Sequence, residues 1–152
     1  MGAYLRTVKT FRVTARTTRD KVLDNGLLVQ NDGKVDILAQ FPSHLRIDAV
    51  NGEKQRLYLY DGKSFTLYGK VIQYYATMPA PPTIGQLAAV LADKYDIEIP
   101  LEDLFWWGTE RVNASTILAA ADAGPVDVQG TTCQHYAFRQ EGLDWQIWIQ
   151  LG

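Results

Sequence analysis

Leu27, Val29, Val35, Ile37, Ala39 and Phe41 all fall on odd positions. Side chains of an extended chain point alternately to opposite faces, so this parity holds one apolar face through the whole run. Between its halves stands Asn31-Asp32-Gly33. Locally those residues read as a hairpin turn, but the preserved parity favours one long, bent strand over 27–41.

Period two recurs on both sides. Over 8–18, Phe11, Val13 and Ala15 alternate with Arg12, Thr14 and Arg16, which marks a strand with one wet face. Leu45, Ile47 and Ala49 continue the alternation, Asn51-Gly52 turns the chain and 56–60 returns it. Asp61-Gly62 turns it again. A two-residue loop there sets Tyr58 opposite Phe65 and Leu57 opposite Thr66, so both faces carry apolar groups. A further strand over 71–78 sends Tyr74 and Tyr75 to opposite faces.

Pro79-Ala80-Pro81-Pro82 stops the sheet, because proline cannot donate to a ladder. It reads as a connector rather than a PxxP recognition motif. Thr83 and Gln86 fit a capping box, and Ile84, Leu87, Ala88, Leu91 and Tyr95 then recur at helical spacing. Leu101, Leu104 and Phe105 predict a shorter helix after Pro100. Ala114, Ile117, Leu118 and Ala121 predict a third, closed by Gly124. Three more strands follow. Six strands, a helical block and three strands, without sustained βαβ alternation, predict an antiparallel α+β fold with helices on one face.

The 152 residues, 47% of them hydrophobic, suffice for a single domain with a continuous core. Fifteen basic against seventeen acidic side chains give a net charge of −2, with no basic block to follow a phosphate backbone. Nucleic acid is therefore not the expected partner. No run of about 18 apolar residues is present, so no segment is expected to span a bilayer. The first residues lack an export signal's apolar stretch, which taken alone points to the cytoplasm.

The one cysteine lies two residues before one of the two histidines, in Cys133-Gln-His135. Two registers of the final hairpin compete. A five-residue loop, 140–144, sets Tyr136 against Trp148 and His135 against Ile149. A four-residue loop, 141–144, sets Phe138 against Ile147 and Tyr136 against Ile149. Only the second separates an apolar face (Tyr136, Phe138, Trp145, Ile147, Ile149, Leu151) from one bearing Cys133, His135, Arg139, Gln146 and Trp148. Cys133 and His135 then project side by side at about 7 Å, whereas a nucleophile and its base need roughly 3 Å and a third group to orient the base. They read as ordinary sheet residues, and a thiol hydrolase built on them is the less favoured alternative.

His44 has no ligand spacing to Cys133, and G-x-S-x-G, H-E-x-x-H, P-loop and dinucleotide fingerprints are all missing. No catalytic residue, metal or cofactor is expected. Asn113-Ala-Ser115 matches a glycosylation acceptor but reads as a helix start, and Asp122 and Asp127 flank a turn. Glu102 and Asp103 suit the first turn of a helix rather than an acid/base pair. In Phe105-Trp106-Trp107, adjacent rings on a short helix cannot all face one core, so at least one is available to a seam, a pocket or a partner surface.

Tyr60-Asp-Gly-Lys-Ser-Phe-Thr-Leu-Tyr68, Tyr74-Tyr-Ala-Thr-Met-Pro-Ala-Pro81, Ile99-Pro-Leu-Glu-Asp-Leu104, Cys133-Gln-His-Tyr-Ala-Phe-Arg139 and Asp144-Trp-Gln-Ile-Trp148 together resemble a bacterial domain-of-unknown-function family of predicted periplasmic proteins. That family is in turn similar to the outer-membrane lipoprotein carriers LolA and LolB. The resemblance implies an incomplete antiparallel β-barrel, a curved sheet covered by helices around an apolar cavity, and export to the periplasm. It also implies that residues 1–152 form one carrier-like domain truncated at both ends, whose final strand is open to self-association.

The expectation is a non-enzymatic periplasmic domain that binds a lipid, acyl chain or lipoprotein between sheet and helices. Val13, Val29, Ile37, Leu87, Leu91, Leu104, Phe105, Leu118, Trp145 and Ile147 are expected to line the cavity. The alternative is a protein-interaction or envelope-sensor module with a filled core.

Overall fold

The computed structural model describes Tyr4 and residues 7–52, 54–106 and 114–151. The chain divides into two compact units, Met1–Thr109 and Glu110–Gly152. The first carries six antiparallel strands in sequential order: β1 (Thr10–Val22), β2 (Leu28–Gln40), β3 (His44–Asn51), β4 (Lys54–Tyr60), β5 (Ser64–Gly69) and β6 (Tyr74–Pro79). The second carries β7 (Ala119–Val128), β8 (Thr131–Gln140) and β9 (Leu143–Gln150), also antiparallel. Both sheets are open. The fold is α+β and dominated by sheet.

The long strand expected over 27–41 is present as β2. Gly33 pairs with Thr17 on one side and Asn51 on the other. A Cβ there would lie 2.6 Å from Thr17 Oγ1 and 2.9 Å from the Val50 carbonyl oxygen. The glycine thus serves a close approach inside the sheet, not a turn. β3 ends opposite Gly33, so 18–22 and 28–32 continue as a two-stranded ribbon with exposed Val22, Leu27 and Leu28 at its tip.

Alternation gives this sheet an inner face on which Val13, Ile37, Ile47, Tyr58 and Leu67 stand in register across five strands. Helix α1 (Ile84–Tyr95) covers that face with Ile84, Leu87, Ala88 and Leu91, one stripe at i, i+3, i+4 and i+7. The predicted cap is in place: Thr83 Oγ1 accepts from the Gln86 N–H at 3.3 Å. The helix stops at Asp96, which takes the left-handed conformation at φ 53°. A short second helix, α2 (Asp103–Trp106), follows as expected and buries Phe105.

Three local expectations are corrected. The β4–β5 loop spans four residues, not two, so Tyr60 faces Phe65 and Leu59 faces Thr66. The cause is Asp61, whose carboxylate accepts the N–H groups of Ser64 at 2.7 Å and Lys63 at 2.9 Å and holds the wider turn. The strand predicted from residue 71 begins only at Tyr74. Lys70 instead bonds Asp48 at 2.5 Å, and Gln73 adopts φ 57°. The third helix is only a 3-10 turn, Ala114–Thr116, after which Ala119–Ala121 enter β7. Pairing with β8 overrides alanine's helical preference, and Gly124 sits at a bulge with φ 86°.

The terminal hairpin follows neither expected register. Its loop is Glu141-Gly142, with Gly142 at φ 72°, so Phe138 meets Trp145 and Tyr136 meets Ile147. This differs from the favoured register by two residues, so the expected division into two faces survives.

Leu91 has no exposed surface whereas Leu38, on the outer face, is 48% exposed. Leu91→Ala is expected to cost roughly 2–5 kcal/mol and Leu38→Ala no more than about 0.5 kcal/mol, read as urea midpoints. A second prediction concerns Asp61. The N–H groups of Ser64 and then Lys63 hold its carboxyl below the ordinary 3.8. A carboxylate depressed in the folded state contributes stability above its unfolded pKa and loses it as pH falls through the folded value. Asp61→Asn should therefore flatten the loss of stability on acidification below about pH 4. An unchanged acid limb would contradict this role.

Candidate functional site

The ten residues expected to line a cavity separate into distinct environments. Ile37 from β2, Leu87 and Leu91 from α1 and Phe105 from α2 meet in one buried cluster, with Val13 and Leu104 half-buried against it. Val29 does not join it. At 41% exposure it stands on the β1–β2 ribbon, past the end of β3. Leu118, placed by sequence on a helix, precedes β7 at 68% exposure, and its N–H donates to the Arg139 carbonyl. Trp145 and Ile147 belong to the three-stranded sheet. There Trp145 stacks on Phe138 with centroids 4.2 Å apart and donates its Nε1–H to Gln140 at 3.0 Å.

The six that do meet define a seam between sheet and helices. Ile47, Ile84 and Ile99 complete it from positions that sequence reasoning passed over, although Ile47 and Ile84 carried the same strand and helix periodicities. At one margin Phe11, Phe41 and Phe105 group with centroids about 6 Å apart, at separations suited to aromatic pairs. Ile37, Leu87 and Leu91 expose no surface. A side chain facing a void large enough for an acyl chain would expose some, so the seam is closed in this state. Among the described residues no polar or charged side chain is buried. The Tyr58 and Tyr60 hydroxyls apart, a ligand in the seam would therefore be held by apolar contact.

Hydrogen bonds hold the start of α1, and Ile97 and Ile99 anchor the chain just past its end in the core. The Ile84 N–H donates to the Pro42 carbonyl at 2.8 Å. The Tyr60 hydroxyl donates to the Pro81 carbonyl at 2.5 Å, and burial, then the nearby Asp61 carboxylate, raises its pKa. Gly85 leaves room for the Trp106 indole, since a Cβ there would lie 3.1 Å from the ring. Trp106 thus packs at the mouth of the seam, while Trp107 lies outside the described residues.

The cysteine and histidine are embedded in β8. Cys133 is buried at 7% exposure and pairs in register with Val126 and Gln150. His135 Nε2 bonds Gln146 Oε1 at 2.7 Å, and its ring stacks on Trp148 at 4.7 Å. These partners orient the imidazole across the sheet, toward an amide and an indole. Both acids lie in β7 rather than flanking one turn: Asp122 accepts the Gly124 N–H at the bulge, and Asp127 accepts the Gly130 N–H at the β7–β8 turn. Among the described residues no group of three or more His, Cys, Asp or Glu side chains gathers to hold a metal, and no helix is long and apolar enough to cross a membrane. Asn113 of the glycosylation pattern lies outside the described residues.

The class is thus a sheet-dominated α+β domain whose apolar seam has, the tyrosine hydroxyls apart, no buried polar or charged side chain among the described residues. The chain belongs to the family described as predicted periplasmic protein (DUF2092), whose model matches residues 1–152. The family description places it in the periplasm. No curated protein sequence matches the chain.

Burial of Cys133 predicts slow chemistry: thiol titration of the native protein should run on the order of tenfold or more slower than in urea. A native thiol that reacts faster than a free one would revive the nucleophile reading.

Proposed function

We propose that this protein is a non-enzymatic periplasmic binding domain that takes an acyl chain, from a lipid or a lipoprotein, into the seam beneath α1. Helix α1 acts as the cover that closes the seam when it is empty. The observation that carries this reading is the convergence of Ile37, Leu87, Leu91 and Phe105, with Val13 and Leu104 at the margin, in one apolar seam without buried polar side chains among the described residues. The family's sequence resemblance to lipoprotein carriers supports it by analogy only, since fold is shared more widely than function.

Magnitudes make the exchange feasible. Lifting α1 re-exposes Ile84, Leu87 and Leu91, at roughly 1.5–3 kcal/mol each. Burying about twelve methylenes of an acyl chain contributes roughly 0.8 kcal/mol apiece, about 10 kcal/mol, which offsets that loss. The hydrogen bonds to the Pro42 and Pro81 carbonyls lie at the start of α1, and in this reading the helix swings about that end as its sheet-facing stripe and Ile99 leave the core.

A second reading is favoured by the zero exposure of Ile37, Leu87 and Leu91. In it the core stays filled and the domain acts as an interaction or sensor module through its surface.

Native mass spectrometry of protein purified gently from bacterial envelopes, followed by solvent extraction, separates the two. A stoichiometric acyl-containing adduct is expected. A clean apo mass, with no uptake of added palmitate or phospholipid, would transfer the assignment to the filled-core module.

A further inference from the structure

Two hollows open on the face of the six-stranded sheet opposite α1. One, of about 500 Å³, is lined by Arg12, Lys34, Asp36 and Asp48 among others. The second, of about 460 Å³, includes His44, Leu59 and Thr66. Leu38 and Arg46 line both. Register explains the link: Arg12 pairs with Leu38, Leu38 with Arg46, Arg46 with Leu59 and Leu59 with Thr66. Cations and leucines therefore alternate along one row, with neighbours about 4.8 Å apart.

The acids beside this row are already engaged. Asp36 receives Arg12 Nε and Nη2 at 3.1 and 2.8 Å, and its carboxyl is held low by that bond. Asp48 receives Lys70 at 2.5 Å. Arg46 is in no ion pair among the described residues, whereas Lys34 adds to the field that holds the Asp36 carboxyl low. Leu38 and Leu59, directly beside Arg46, are 48% and 37% exposed on what alternation makes the wet face.

We propose that this row binds an anionic lipid, with its phosphate or carboxylate on Arg46 and its first methylenes over Leu38 and Leu59. A neutral apolar ligand would cover the leucines without engaging the guanidinium, and a bare anion would leave both leucines wet. A lipid places its one charged group at Arg46 alone, whereas an extended acidic peptide would lay further carboxylates along strands whose other cations, Arg12 and Lys70, already hold Asp36 and Asp48. The first hollow itself carries three cations and two acids, on a chain whose net charge is −2. The site faces away from α1, so it stands whichever reading of the seam holds.

Leucine-methyl NMR titration of the full chain with dodecyl phosphate below its micelle concentration tests this. Dodecyl maltoside, inorganic phosphate and an acidic leucine-containing peptide serve as comparison probes. Shifts confined to Leu38 and Leu59 are expected. Arg46→Gln and the double variant Leu38→Ser/Leu59→Ser should each weaken binding about tenfold. Both variants change exposed side chains, and retained circular dichroism confirms that they fold. The maltoside and inorganic phosphate should bind at least about tenfold more weakly than dodecyl phosphate. The proposal is overturned if Leu38 and Leu59 do not shift, if Arg46→Gln binds within twofold of the parent, if inorganic phosphate binds as well as the amphiphile, or if the peptide binds best.

Discussion

The contact on which the six-stranded unit depends is the apolar stripe of α1 laid on the row Ile37–Ile47 of the sheet. An open sheet with one apolar face is unstable in water until something covers that face. Here the cover is a helix of 12 residues, capped by Thr83 and ended at Asp96. The sheet supplies isoleucines with no exposed surface, and the helix supplies Leu87 and Leu91 in the same condition. Because the cover is a single helix, the element that stabilises the unit is also the one whose movement would admit a ligand.

The two faces of this sheet have divergent chemistry because strand alternation forces them apart. The inner face has no buried polar side chain among the described residues, so it offers a ligand area without direction. The outer face carries paired acids, an Arg46 that is in no ion pair among the described residues, and a few leucines, so it offers direction with little area. Ion pairs such as Arg12–Asp36 are exposed, and contribute little stability there. Their effect is on the local field, by engaging carboxylates that would otherwise repel an anion.

Much of this was legible in the sequence. The odd parity of residues 27–41 identified β2 and its inner face, and the Thr83–Gln86 cap with its periodic leucines located α1. Register was not legible. Period two assigns faces but is indifferent to a slip of two residues, so Tyr58–Phe65 and Phe138–Ile147 were misplaced while their faces were right. Side-chain turn chemistry decided the first case, through Asp61, and positive φ at Gly142 accompanied the second. Ala119–Ala121 favour helix locally and became strand because β8 offered a ladder. Val29 and Leu118 fell outside the seam because periodicity shows which way a residue points, not where its neighbours stop.

The central claim is that α1 is a displaceable cover. Amide hydrogen exchange of α1, followed with and without a bound acyl ligand, addresses it directly, because a helix lifted from its sheet loses the packing that slows exchange. The account predicts that amides around Leu87 to Leu91 exchange faster in the liganded protein, while those of β2 and β3 stay protected. Ligand binding that leaves α1 as protected as in the free protein would contradict it.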